Sequence, residues 1–257
     1  MTTYPNVKIN LGLSILRKRP DGFHDLETLF VPFCGIKDRL DIEPAKGTES
    51  SIRIVGGSWD PQTDLCWRAY KLMQADFDLP PVNIFLEKKA PVGAGLGSGS
   101  ADAAFTLKML SEMFSLGLDD EALAGYAARI GSDCAFFVYN EPMWGEGRGE
   151  RLQPYDASFL DEYEIVVEFP QGVSVSTKEA YSAVLPRERM AQAPLPLRDV
   201  LALPVEQWRE LLVNDFERSV FPLHPEIPAL KQSLYDRGAV YASMSGSGSA
   251  VFGLFEK

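Results

Sequence analysis

From residue 7 to residue 15 the odd positions are all apolar (Val7, Ile9, Leu11, Leu13, Ile15) and the even ones are Lys8, Asn10, Gly12 and Ser14. A period of two predicts a half-buried strand with Lys8 and Asn10 on one face. Pro20-Asp21-Gly22 is turn-forming, and the apolar run 26–33 predicts a second strand, giving a hairpin with Phe23 and His24 at its mouth. Further strands are expected over 38–44, 51–55 and 82–87. Leu65, Ala69, Leu72 and Met73 recur at helical spacing over 64–76. Phe105, Leu107, Leu110, Met113 and Phe114 trace the buried side of another helix, and a third is expected from an Asp119 or Asp120 cap through Ile130, with Gly131 as a left-handed stop.

Turn-forming residues dominate 144–150, "WGEGRGE", and a new strand begins near 163, so a division between two domains, 1–155 and 156–257, is expected near residue 155. The C-terminal part predicts a strand at 163–169, a helix near 178–184, a Pro-rich connector at 186–196, and helices near 198–213 and 226–236. It closes on "SGSGS", residues 245–249, between apolar segments.

The densest unusual pattern is Pro91-Val92-Gly93-Ala94-Gly95-Leu96-Gly97-Ser98-Gly99-Ser100-Ala101, with a glycine at every second position just before a helix. Glycine at that density weakens a fold unless bare backbone is needed. A Walker A loop is excluded because no lysine lies between Lys89 and Lys108. A dinucleotide fingerprint fails because, counting from Gly93, Gly95 or Gly97, the third glycine is replaced by Ser98, Ser100 or Asp102. What remains is either a tight loop packing closely on a neighbouring backbone or a loop whose N–H groups, added to those of a helix start, form a positive concavity for phosphate oxygens, with Ser98 and Ser100 as donors or holders of metal-bound water. Asp102 is expected to point away from that concavity and serve the helix dipole.

Charge sharpens this picture. With 25 Lys+Arg against 36 Asp+Glu the formal charge is −11, and no basic run is present, so nucleic acid is an unfavoured partner. An anionic small molecule must be held by a local device such as oriented backbone amides. Three scattered cysteines fit neither a disulfide framework nor a zinc site, and no apolar stretch is long enough for a leader or a membrane span, which points to the cytoplasm without membrane attachment. The two histidines, His24 and His224, are not at metal-ligand spacing, and no metal ligands are assigned.

Pro-x-x-x-Gly-Leu-Gly-x-Gly-Ser before a helix resembles the second motif of the GHMP small-molecule kinases. The resemblance extends in order through "VKINLGLSILRKRPDGFHDLETLF" (7–30), "IGSDCAFFV" (130–138), "GEGRGERL" (145–152), "GVSVSTKEAY" (172–181), "NDFE" (214–217) and "SGSGSAVFGLF" (245–255). The Asp21-Gly22-Phe23-His24 turn is similar to that of the branch acting on 4-diphosphocytidyl-2-C-methyl-D-erythritol.

The resemblance implies an α+β, two-domain fold, with an N-terminal domain like the second domain of ribosomal protein S5 and a ferredoxin-like C-terminal domain. It implies ATP-dependent phosphorylation of the 2-hydroxyl of that cytidyl-diphosphate substrate, with Mg2+ accompanying the nucleotide. Carried over by position, Asp133 is the catalytic base, Lys8 its cationic partner, and residues 91–101 the ATP phosphate cradle. Asn10, Phe23, His24 and Thr177 are substrate contacts. Three positions depart from the pattern: Phe23 replaces a common tyrosine, Ser98 a common glycine, and Asp64 a common asparagine near the adenine.

Taken singly, these residues have ordinary explanations. Asp133 caps a turn, Lys8 sits solvated on a strand face, His24 lies on the surface and the terminal loop joins two strands. Their order along the chain favours the kinase over another GHMP member or a relative that binds ligand without turnover.

Overall fold

A computed structural model of the chain describes residues 1–192 and 194–257. A two-residue strand, β1 (Thr2–Thr3), precedes two long ones, β2 (Asn6–Lys18) and β3 (His24–Lys37), which are followed by β4 (Arg39–Pro44) and β5 (Ser51–Val55). Helix α1 (Leu65–Phe77) precedes β6 (Val82–Glu87), and the glycine loop then leads into α2 (Ser98–Met113), α3 (Asp120–Ala128) and α4 (Cys134–Tyr139). Next come β7 (Met143–Gly147), β8 (Arg151–Pro154) and β9 (Tyr163–Glu168), then α5 (Thr177–Ser182), α6 (Leu197–Leu201), α7 (Glu217–Val220) and α8 (Glu226–Asp236). The last two strands are β10 (Tyr241–Met244) and β11 (Val251–Glu256).

The chain forms two compact units that interleave in sequence. One comprises residues 1–7, 32–92 and 97–141, the other residues 8–31, 93–96 and 142–257. In the first, β1-β4-β6-β5 form a sheet that is antiparallel except where β5 runs parallel to β6. Val82, Ile84 and Leu86 alternate into its core. Helix α2 packs against α1, α3 and α4, an approach that the buried Ala101, Ala103 and Ala104 permit because they carry so little side chain.

The second unit contains the sheet β2-β3-β7-β8 and the antiparallel sheet β10-β11-β9, with α8 against β10 and β11. Leu13 and Ile15 of β2 and Leu26 of β3 share a core with Phe216, Val220, Ile227, Leu234 and Val251. Strand β2 is therefore built into the same core as α8.

Several sequence expectations need correcting. Strand β2 is buried on both faces, not one: Lys8 is 3% and Asn10 2% exposed. Residues 143–147 of the glycine-rich "WGEGRGE" region are strand β7, paired with β3, because a Cβ on Gly145 would fall 2.4 Å from the Phe30 ring and glycine alone fits beneath it. Helix α2 begins at Ser98, three residues before Ala101, so Ser98, Gly99 and Ser100 belong to its first turn.

Gly131 is not a left-handed stop; α3 ends at Ala128 and tightens through Arg129. The helix expected over 198–213 is split into α6 and a 3-10 segment, Val205–Glu210, because Pro204 between them lacks an N–H and sits extended at ψ 142. Within the connector predicted at 186–196, Arg187–Arg189 form a 3-10 turn, and residue 193 lies outside the described residues.

Candidate active site

Three of the four alternating glycines are required by backbone conformation. Gly93, Gly95 and Gly97 have φ of +71°, +75° and +70°, the left-handed region where a side chain clashes with the backbone. Gly95 is needed twice over, since a Cβ there would lie 2.0 Å from the Ser245 carbonyl oxygen. Gly99 differs: it is helical, and the only contact an added Cβ would make within 4 Å is Leu65 Cδ1 at 3.8 Å.

Within the second unit, residues 93–96 are held by main-chain contacts from three directions. The Lys8 N–H donates to the Leu96 carbonyl (3.0 Å), and the Ala250 N–H donates to the Ala94 carbonyl (3.0 Å). The Gly95 carbonyl accepts from Lys8 Nζ (2.8 Å) and from Ser245 Oγ (3.1 Å). The Lys8 ammonium also donates to Asn10 Oδ1 and lies 5.6 Å from the centre of the Phe30 ring. Asn10 Nδ2 donates to Thr28 Oγ1 (3.0 Å), whose hydroxyl donates to the Gly12 carbonyl (2.6 Å). Asn214 braces the far side, with Nδ2 donating to the Met244 and Gly246 carbonyls, both at 2.8 Å.

The structure thus brings Lys8, Asn10 and residues 93–96 together. It adds Thr28, Asn214 and Ser245, which the sequence reading did not single out. "NDFE" and "SGSGS" were visible as motifs, but nothing in them points to a hydrogen bond between distant segments.

In the first unit, α2 starts without a side-chain cap, its N-cap position being the left-handed Gly97. Its first N–H groups therefore have no capping side chain as acceptor. Ser98 is buried, and Ser100 hydrogen-bonds the Cys134 thiol, whose pKa burial pushes up to about 12. Asp102 does not serve the helix dipole as expected but is buried and paired with Lys88 at 2.6 Å. Asp64 caps α1 by accepting from the Cys66 N–H (2.8 Å) and also accepts from Trp59 Nε1 (2.9 Å).

A cavity of about 640 Å³ opens between the 56–59 turn and the segment 88–92, so Pro91 and Val92 line it. Asp133 is the residue preceding α4, and it makes no capping hydrogen bond there, so the ordinary explanation of a helix cap does not apply.

Back in the second unit, Phe23 is 54% exposed, with the Arg148 guanidinium 4.9 Å from its ring centre. His24 stacks on Tyr181 at 4.8 Å and 20° between planes, and burial, aided by the Lys18 charge, lowers its pKa, which favours a neutral imidazole. Thr177 is exposed at the start of α5. Tyr181 was missed by the sequence reading, although the spacing of four from Thr177 puts both on one helix face. Lys8, Asn10, Phe23, His24 and Thr177 all belong to the second unit, and Asp133 to the first. Among the described residues no group of three His, Cys, Asp or Glu side chains is arranged to hold a metal ion.

Comparison with known proteins fits this geometry. The family model for the GHMP kinases N terminal domain matches residues 64–141, and that for the GHMP kinases C terminal matches 200–257. The chain belongs to the GHMP kinase family. It is 48% identical over 262 residues to a 4-diphosphocytidyl-2-C-methyl-D-erythritol kinase of Bacteroides fragilis, covering 99% of this chain and 92% of the relative. It is 44% identical to the protein of the same name from Parabacteroides distasonis, over 100% and 92% of the two chains.

A crystal structure of a 4-(cytidine 5'-diphospho)-2C-methyl-D-erythritol kinase superposes with a TM-score of 0.79 at 34% identity, covering 99% of this chain and 90% of that one. A mevalonate kinase superposes with a TM-score of 0.71 at 13% identity over 100% and 91%, a likeness of fold alone. The two-domain GHMP kinase fold expected from the sequence is therefore established.

Proposed function

We propose that this GHMP kinase transfers the γ-phosphoryl group of ATP to the 2-hydroxyl of 4-diphosphocytidyl-2-C-methyl-D-erythritol, an isoprenoid precursor. The observation that carries this reading is the loop itself: alternating left-handed glycines run directly into the uncapped first turn of α2. The N–H groups of such a glycine-rich segment and of an uncapped helix start are donors suited to phosphate oxygens, which supply the acceptor they need. The names of the relatives support the choice of acceptor. The donor is Mg-ATP, the metal arriving on the phosphates as part of the substrate.

In the reaction the acceptor oxygen forms a bond to the γ-phosphorus as the bond from that phosphorus to the β-bridging oxygen breaks, and ADP leaves. The hydroxyl proton goes to the Asp133 carboxylate, whose side chain is not spent on capping α4. Lys8 supplies an ammonium, buried beside the Gly95 carbonyl, that favours negative charge where the phosphoryl group is passed. Positioning and charge stabilisation of this kind carry most of the rate in phosphoryl transfer.

Phe23 offers an exposed ring face, and neutral His24, stacked on Tyr181, offers a donor and an acceptor to a pyrimidine edge. Asn10 fixes the Lys8 ammonium, and Thr177 presents a hydroxyl to the substrate. Three thiols with no disulfide among them fit a cytoplasmic enzyme, and among the described residues no helix is long and apolar enough to cross a membrane.

The test is ADP release with the cytidyl substrate, run beside mevalonate, homoserine and galactose. Turnover of the first alone is expected; turnover of only one of the others rejects the acceptor. In the same assay Asp133→Asn is expected to lose at least ~100-fold in kcat with nucleotide affinity nearly unchanged, and wild-type turnover in that variant removes Asp133 from the mechanism.

A further inference from the structure

Three ionisable side chains are buried together in the first unit, outside the chemistry described above. Asp38, just before β4, accepts the backbone N–H groups of Lys89 and Ala90 on Oδ1, the latter at 2.8 Å, and the Lys88 ammonium on Oδ2. That ammonium also binds Asp102 Oδ2 at 2.6 Å. All three side chains are no more than 2% exposed, so the Lys88 amine is unavailable to a ligand. Among the described residues, the buried Asp102 Oδ1 has no hydrogen-bond partner.

Sequence position gives the cluster its meaning. Residues 88–90 are where the chain enters the glycine loop, and Asp102 lies just past the first turn of the helix into which the loop runs. One ammonium and one carboxylate therefore tie the entrance of the loop to its exit, with a third group, Asp38, anchored beside the sheet. The cost is plain: three ionisable groups, two acidic and one basic, are taken out of water, where well-packed apolar side chains would serve stability as well or better. Burial pushes the Asp102 carboxyl up to about 8, while the charges of Asp102 and Asp38 outweigh burial at Lys88 and raise its pKa.

We propose that Asp38, Lys88 and Asp102 are positioning residues that fix the two ends of the 91–101 segment, and so set nucleotide affinity without touching the nucleotide. The proposal rests on reading that segment as the phosphate cradle. A staple of this kind pre-orders a glycine-rich segment that otherwise loses more freedom on binding than any other sequence.

The experiment uses the full-length, nucleotide-free chain and the variants Lys88→Met and Asp38→Asn. Lys88→Met leaves two carboxyls unpaired and is at risk of not folding. Asp38→Asn keeps the shape, removes one of the two acidic groups and turns an amide toward the ammonium, so it cuts the link in a folded protein. Hydrogen exchange of the amides in 91–101 is expected to quicken about tenfold, with Mg-ATP bound about tenfold more weakly, kcat at saturation within about threefold, and KM for the acceptor alcohol unchanged.

Wild-type exchange in 91–101 together with wild-type Mg-ATP affinity, even with a lower Tm, overturns the proposal, as does an exchange increase spread evenly over the chain. If the wild-type protein itself fails to bind Mg-ATP, the cradle reading falls. The exchange comparison still decides whether the triad fixes the loop.

Discussion

At the scale of single residues, Gly99 separates a ligand requirement from a folding one. Its neighbours Gly93, Gly95 and Gly97 have positive φ, whereas Gly99 is helical and a Cβ there would meet Leu65 Cδ1 at an ordinary contact distance of 3.8 Å. Alanine there is expected to stabilise the nucleotide-free protein by up to about 1 kcal/mol, the usual helix preference over glycine, while weakening Mg-ATP binding because a methyl group occupies space a phosphate uses. Urea unfolding and nucleotide titration read the two effects separately. A variant that binds Mg-ATP as well as wild type removes the close phosphate approach at this position.

Asp102 makes a second prediction, in pH. Its folded-state pKa, raised to about 8, exceeds the ordinary carboxyl value of 3.8, so the folded chain holds this proton more tightly than the unfolded one. The contribution is fully present below pH ~4, is lost as pH rises through the folded value near 8, and is constant above it. The groups facing this carboxyl are Lys88, Asp38 and Asp64, the amine opposing the shift and the two carboxyls adding to it. Asp102→Asn, which cannot ionise, is expected to show little stability advantage over wild type at pH 5 and a clear one at pH 8.5, read as urea midpoints. An equal difference at both pH values contradicts this.

At the scale of elements, the loop between β10 and β11 is braced by a buried side chain from outside both strands. Asn214 is 1% exposed, and its amide satisfies the Met244 and Gly246 carbonyls. Asn214→Ala removes the amide donor of these two carbonyls and the acceptor of the Phe216 N–H, and is expected to cost about 2–4 kcal/mol in urea unfolding, from the usual penalty for buried groups losing their partners. A loss below ~0.5 kcal/mol means that water or a backbone shift replaces these bonds.

Elements with strong local signals were legible in the chain. Strands β5 and β6 and helix α8 fall where alternation or helical spacing put them, and Asp119 caps α3 as its position suggests. What escaped depends on tertiary packing. Periodicity placed Lys8 and Asn10 on a polar face, but that face is covered as fully as the apolar one. Gly145 suits a turn until Phe30 is laid over it, and only then is it a strand residue. Residues 38, 88 and 102 share no motif, so their buried cluster had no sequence signature at all.

At the scale of the whole molecule, a net charge of −11 is at odds with two anionic substrates, and the proposed function answers it locally, with the loop amides and the Lys8 ammonium. The division of the chain has a sharper consequence. A cut at residue 155 separates the sequence cleanly, yet the unit containing 156–257 also draws on residues 8–31, 93–96 and 142–155.

Leu13, Ile15 and Leu26 lie in the core beside Phe216, Val220 and Ile227, and the Ile15 N–H donates to Asp215 Oδ2 at 2.8 Å. Removing three buried aliphatic side chains forfeits about 5–9 kcal/mol at ~1.5–3 kcal/mol each, comparable with the whole stability of a typical domain. A fragment of residues 156–257 is therefore expected to give a narrow amide proton spectrum and no cooperative urea transition. Co-refolding with a fragment of residues 1–155 should restore both, because it returns β2 and β3 to that core. A fragment 156–257 that unfolds cooperatively on its own would show that the first strand is dispensable to the core it enters.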